Sequence, residues 1–213
     1  MAPRNMPASL SGTLQIILEQ RKLGTGLYDA ASSRTQIVQI CQAFIGNPIN
    51  DFVKAPRGRG VDVWLQKEGV DYLFDTKTVQ SNVSGFVEYM EQVLTWYAYY
   101  YSKYPSGNAQ ARIVFPYNPE KSEFWSCVKG GGFPLEPHNE AWVENEFWDF
   151  CSGLTDTFSL IRQAFSDLRE SKELERELEV IFSIQNELPT PKGISFLKIV
   201  DPEEEGWDDP SVE

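Results

Sequence analysis

The chain has 213 residues, 41% of them apolar and 13% aromatic, with a formal net charge of −12. That length and apolar content suit a buried core and exclude a disordered chain, and no run of eighteen apolar residues offers a membrane span. The charge is unevenly spread: residues 1–139 carry 13 Lys+Arg against 12 Asp+Glu, and residues 140–213 carry 6 against 19. A nucleic-acid surface needs local positive potential rather than a basic whole, so the first two thirds remain compatible with one.

The opening residues Met1-Ala2-Pro3-Arg4-Asn5-Met6-Pro7 lack an apolar signal core, and secretion is not expected. Residues 10–22 read as a first helix ending near Gly24, and residues 33–45 as a second, with Ile37, Ile40, Cys41 and Phe44 at helical spacing. A basic, glycine-punctuated link follows, with Arg57 and Arg59 between Pro56 and Gly60. The apolar run Val61-Asp62-Val63-Trp64-Leu65 then reads as a strand, and residues 71–79 as a second. Lys67 to Val70 serves as a four-residue hairpin loop, a register that sets Asp62 opposite Asp75. Alternation puts Asp75 and Lys77 on one face, and places Val61, Val63 and Leu65 with Tyr72, Phe74 and Thr76 on the other as core.

Residues 85–101 read as a long helix, with Phe86, Met90, Val93, Leu94, Tyr97 and Tyr101 in one apolar stripe better suited to core than to base stacking. Residues 111–116 form a short strand cut off by Pro116. The order of helix, two strands, helix, strand predicts an α/β fold: a mixed central sheet flanked by helices, with a helical acidic C-terminal part. Residues 121–137 are loop-rich and residues 139–150 acidic and aromatic. Residues 159–182 read as one amphipathic helix, either a cap on its own domain or a dimer interface, and residues 201–213 as an acidic tail. We expect a single domain over 1–200, with its core at about 33–118 and an elaboration at about 119–200.

Several chemistries fall away. Cys41, Cys127 and Cys151 are odd in number and widely spaced, which favours reduced thiols over disulfides or a zinc site. His138 is the only histidine, so histidine-rich metal sites lack their parts; a Ser-His-Asp or Cys-His arrangement could use only His138, whose glycine- and proline-rich loop suits a solvated or capping role better. Neither a Walker-type loop nor a Gly-x-Gly-x-x-Gly after a strand is present. What remains is Asp62 with Asp75-Thr76-Lys77: two carboxylates and an ammonium converging at a sheet edge, the residue types that hold Mg²⁺ and position a water for phosphodiester attack.

On those residues and that element order, the chain resembles the PD-(D/E)XK nuclease superfamily, with Asp62 as the first acid and Asp75-Thr76-Lys77 as the (D/E)XK element. Val61 stands where a proline often precedes the first acid. Within the superfamily, Tyr72-Leu73-Phe74-Asp75-Thr76-Lys77-Thr78-Val79-Gln80-Ser81-Asn82 and the later Phe115-Pro116-Tyr117-Asn118-Pro119 look most like small type II restriction endonucleases. The resemblance implies a Mg²⁺-dependent endonuclease on double-stranded DNA, acting as a homodimer in a bacterial cytoplasm. It implies Asp62, Asp75 and the Thr76 carbonyl as metal ligands and Lys77 as the group beside the attacking water.

Glu19 is an accessory carboxylate or an ordinary solvated helix residue. Gln80 is a contact to water or phosphate or a strand-end cap. Arg57, Arg59, Asn82, Tyr117, Asn118 and Lys121 are candidates for DNA contact, against plain loop and turn roles. Two other readings stand beside a restriction enzyme. One is a structure-selective repair or junction nuclease of the same fold; the other is a non-catalytic acidic protein that mimics DNA charge.

Overall fold

The computed structural model describes residues 5–45, 52–54, 60–78, 82–119, 123–127 and 135–187. Arg57, Arg59, Gln80, Lys121 and the acidic tail at 201–213 lie outside them. The chain divides into two units, residues 1–162 and residues 163–213.

The first unit opens with a short strand β1 (Asn5–Pro7) and helix α1 (Ala8–Lys22), followed by α2 (Ala30–Gln42). Asp29 caps α2 by accepting from the Ser32 N–H while Ser32 reaches back to the Asp29 N–H, a reciprocal box that satisfies two orphan donors. This starts the helix three residues earlier than its apolar spacing suggests. Strand β2 (Phe52–Lys54) pairs antiparallel with β1.

The main sheet has the order β3-β4-β5-β6, formed by β3 (Val63–Lys67), β4 (Val70–Thr76), β5 (Ala109–Phe115) and β6 (Ala141–Val143). β3 and β4 are antiparallel, and β4, β5 and β6 run parallel, so the sheet is mixed as expected. The hairpin turn has two residues rather than four: Lys67 pairs with Val70 around Glu68 (φ 53°) and Gly69 (φ 77°). Positive φ at both central positions matches the right-handed twist of the strands and keeps the expected register. β4 ends at Thr76 rather than Val79.

Between β4 and β5 runs α3 (Val83–Lys103), the crossover that parallel strands require. Phe86, Met90, Val93, Leu94, Tyr97 and Tyr101 are all buried, and so are Tyr89, Trp96 and Tyr100. The stripe is therefore core, as its spacing suggests, widened to most of the helix because α1, α2 and the sheet all pack against it.

The opposite sheet face is covered by α5 (Asn145–Ser152), whose Phe147 and Phe150 pack on Phe74 together with Trp142 of β6. On the edge strand β3, Lys67 meets α5, lying 4.7 Å over the Phe150 ring, while Val63 stays 39% exposed instead of joining the core. A short α4 (Phe124–Cys127) precedes β6. Buried Arg21 of α1 holds buried Glu140, just before β6, through both carboxylate oxygens at 2.5 and 2.7 Å.

The residues expected to form one helix at 159–182 form two, α6 (Thr157–Ser171) and α7 (Glu173–Glu187). Lys172 between them has φ 53°, a left-handed residue that ends the first helix. Among the described residues, no helix is long and apolar enough to cross a membrane.

Candidate active site

The β3–β4 hairpin brings the predicted acids together. The pairing of Val63 with Phe74, continued by one residue through the Asp62 N–H bond to the Phe74 carbonyl at 3.0 Å, sets Asp62 beside Asp75. Asp62 lies just before β3 and is exposed; Asp75 lies on β4 and is buried at 4% exposure. Asp62 Oδ2 accepts from the Thr76 N–H at 3.2 Å and from its hydroxyl at 3.4 Å. The Lys77 N–H donates to the Val114 carbonyl of β5 at 2.8 Å, so the backbone beyond Asp75 stays tied to the sheet.

Asp75 Oδ2 is the most heavily engaged atom of the group. Lys77 Nζ lies 2.6 Å from it, and Gln92 Nε2, from the second turn of the buried part of α3, donates to it at 2.9 Å. Lys77 also rests over the Tyr89 ring, 5.4 Å from its centre. Gln92 is 8% exposed, so its amide is turned inward by the helix rather than presented to solvent. Sequence reading missed Gln92 because a lone glutamine on an apolar helix carries no signal until the face it occupies is known.

The two carboxylates are electrostatically unlike. The hydrogen bond with Asp75 holds Asp62 below the ordinary aspartate range, helped by the Thr76 donors and by Lys77. Burial pushes Asp75 up, and the hydrogen bond with Asp62 pushes it further, against the pull of Lys77. The pair is thus asymmetric: its surroundings favour the charged form of Asp62 and disfavour that of Asp75. Such crowding of hard oxygen donors is relieved by a divalent cation, and two carboxylates suffice for Mg²⁺, which keeps most of its waters. Among the described residues, no cluster of three or more His, Cys, Asp or Glu side chains is arranged to hold a metal ion, so a pair of acids is the donor set on offer.

The remaining candidates are scattered. The Tyr117 hydroxyl donates to the Thr78 carbonyl at 2.5 Å, which ties the loop after β5 to the segment after Lys77; its ring is 43% exposed. The Asn118 N–H donates to Glu144 at 3.2 Å. Asn82 caps α3, accepting from the Gly85 N–H at 2.9 Å. Glu19 is exposed and meets Lys22 at 3.5 Å, and Lys22 in turn meets Glu91 at 2.6 Å. Glu19 thus joins a helix-surface chain of charges and makes no contact with Asp62, Asp75 or Lys77. His138, with a 65% exposed side chain, pairs with Glu146 away from both acids.

A family model described as a type II restriction endonuclease, HinfI, matches residues 16–169, a span that contains every residue of this cluster. No curated protein and no solved structure matches the chain.

Proposed function

The chain belongs to the HinfI family of type II restriction endonucleases, which are site-specific deoxyribonucleases, and from that premise we propose that Asp62, Asp75 and Lys77 form its catalytic centre, of the PD-(D/E)XK kind. The carrying observation is the hairpin register, which brings Asp62 beside Asp75 and so adds a second carboxylate to the Asp75–Lys77 pair.

In this reading Asp62, Asp75 and the Thr76 carbonyl hold Mg²⁺. When bound, the ion supplies positive charge that acidifies water and offsets the charge growing on the phosphate. The chain's own groups do the rest. Positive charge there would favour the carboxylate form of both Asp62 and Asp75. Lys77, freed from Asp75 Oδ2, turns its ammonium to the attacking water and the phosphorane oxygens. The water oxygen bonds to phosphorus and gives its proton to solvent, while the bond from phosphorus to the 3′ oxygen breaks and that oxygen takes a proton from solvent, giving 5′-phosphate and 3′-hydroxyl ends. Gln92 keeps its amide on Asp75 Oδ2 and so fixes the carboxylate's rotation while Lys77 moves.

Duplex DNA with a short site calls for one centre per strand, hence a homodimer. Phe165 of α6 and Leu174 of α7, both in the second unit, are each more than half exposed, apolar surface that suits a second copy. Arg57, Arg59, Lys121, Tyr117 and Asn118 are proposed to meet the DNA, in a bacterial cytoplasm where the substrate is foreign DNA. Family membership favours this site-specific enzyme over a junction nuclease and over a non-catalytic DNA mimic. Asp62→Ala and Lys77→Ala are expected to abolish metal-dependent cleavage while leaving the melting temperature within a few degrees. Folded variants that cut as fast as the parent would remove the assignment.

A further inference from the structure

At the other end of the hairpin, on the same sheet face as Asp75, lies an open cavity of about 670 Å³. It is lined by Trp64 and Asp71 of the strands and by Tyr100, Tyr104, Ser106 and Asn108 around the α3–β5 turn. Asp71 is four residues before Asp75, about 13 Å along an extended strand, so this is not part of the acid cluster. We propose that this cavity is a binding site for a small organic cation of the alkylammonium class.

The charge balance carries the argument. Asp71 Oδ1 accepts from the Trp64 indole N–H at 3.0 Å and Oδ2 accepts from the Tyr100 hydroxyl at 2.5 Å. Both donors are neutral, and among the described residues no Lys, Arg or His pairs with this half-buried carboxylate. Burial, reinforced by Asp71, holds the Tyr100 phenol above its ordinary range, so it remains a proton donor. The nearby Arg34 guanidinium donates instead to Asn108 Oδ1 at 2.9 Å and to the Tyr101 hydroxyl at 3.1 Å, so the carboxylate is held by hydrogen bonds without an ion pair among the described residues.

The walls select the kind of counterion. The Trp64 ring centre lies 6.1 Å from that of Tyr100 and 6.4 Å from that of Tyr104, and the two tyrosine rings are 5.2 Å apart. Three aromatic rings beside a carboxylate attract a weakly hydrated cation through its charge and its methylene surface. A hydrated metal ion is a poor match, because one carboxylate with both oxygens engaged offers too few free donors. Lys103 Nζ rests 5.0 Å over the Tyr104 ring without reaching Asp71, which shows that this ring accepts an ammonium while the carboxylate remains unmatched. Gly107 closes the floor; a Cβ there would meet the Tyr100 hydroxyl at 2.5 Å, so ring and turn can approach only without a side chain.

The test is titration of the full chain, without DNA or divalent metal, with tetramethylammonium and separately with spermidine, against NaCl at matched ionic strength. Binding is followed through the indole N–H resonance of Trp64, identified by its absence in Trp64→Phe. A saturable shift with either cation and not with NaCl is expected, weakened about tenfold in Asp71→Asn, the size of one lost charge or cation–π contact. Tyr104 is partly exposed, so Tyr104→Ala keeps the fold and gives the second reading should Asp71→Asn unfold; the same weakening is expected. Lys103→Gln is expected to tighten binding by removing the internal competitor. No shift beyond NaCl with either cation, or unchanged affinity in Tyr104→Ala, would overturn the proposal.

Discussion

Asp75 is a buried carboxylate held next to another. Because its folded pKa lies above the ordinary range, the folded state binds the proton more tightly than the unfolded chain does. The stability this lends is complete below the ordinary aspartate pKa and is lost as the pH rises through the raised value. Asp62 has the opposite sign, its contribution being present above the ordinary pKa and lost as the pH falls through the lowered one. Asp75→Asn should therefore melt at a higher temperature than the parent at neutral pH without metal, with the gap closing in acid; melting curves across pH check this. Gln92→Leu removes a donor to a charged oxygen, and we expect roughly tenfold weaker Mn²⁺ binding by calorimetry with an unchanged melting temperature. Restored cleavage at saturating metal would mark Gln92 as a positioning residue. Asp62, Asp75 and Lys77 were legible in the sequence because strand alternation and one turn fix their faces. Gln92 was not, since its partner lies seventeen residues away on another element.

The hairpin and α3 are the elements that make the site. Gly69 supports the turn at φ 77°, where a Cβ meets no neighbour but strains the backbone. Gly69→Ala should cost about 1 kcal/mol in chemical denaturation and loosen the Asp62–Asp75 register. Elements with a sustained period were readable in advance: α1, α2, α3, the hairpin and β5 lie within a few residues of their expected places. Those without one were not. β1, β2 and β6 are three residues each, too short to show alternation, and β1 pairs with a strand far along the chain. The break at Lys172 carries neither glycine nor proline, so the apolar spacing runs through it unmarked.

At the scale of the first unit, Arg21 of α1 and Glu140 beside β6 tie helix to sheet as a buried charge pair, alongside apolar packing. Burial drives the Glu140 carboxyl up, opposed by Arg21. Arg21→Met would strand that charge and should cost about 3–5 kcal/mol, whereas Arg21→Met with Glu140→Leu should recover most of it; denaturant unfolding of the three chains separates the cases. The acidic total, which at first argues against DNA, resides mainly beyond residue 139, while the hairpin and the link before it lie in the nearly neutral part. The central claim is that this near-neutral part cuts duplex DNA at a short site through Asp62, Asp75 and Lys77. Its most direct test is Mg²⁺-dependent digestion of a large sequenced duplex with every end mapped, parent beside Lys77→Ala. The account predicts discrete fragments whose 5′-phosphate ends share one short sequence, absent with EDTA and in the variant. Folded, metal-supplied parent that leaves the DNA intact, or a variant that yields the same ends, would contradict it.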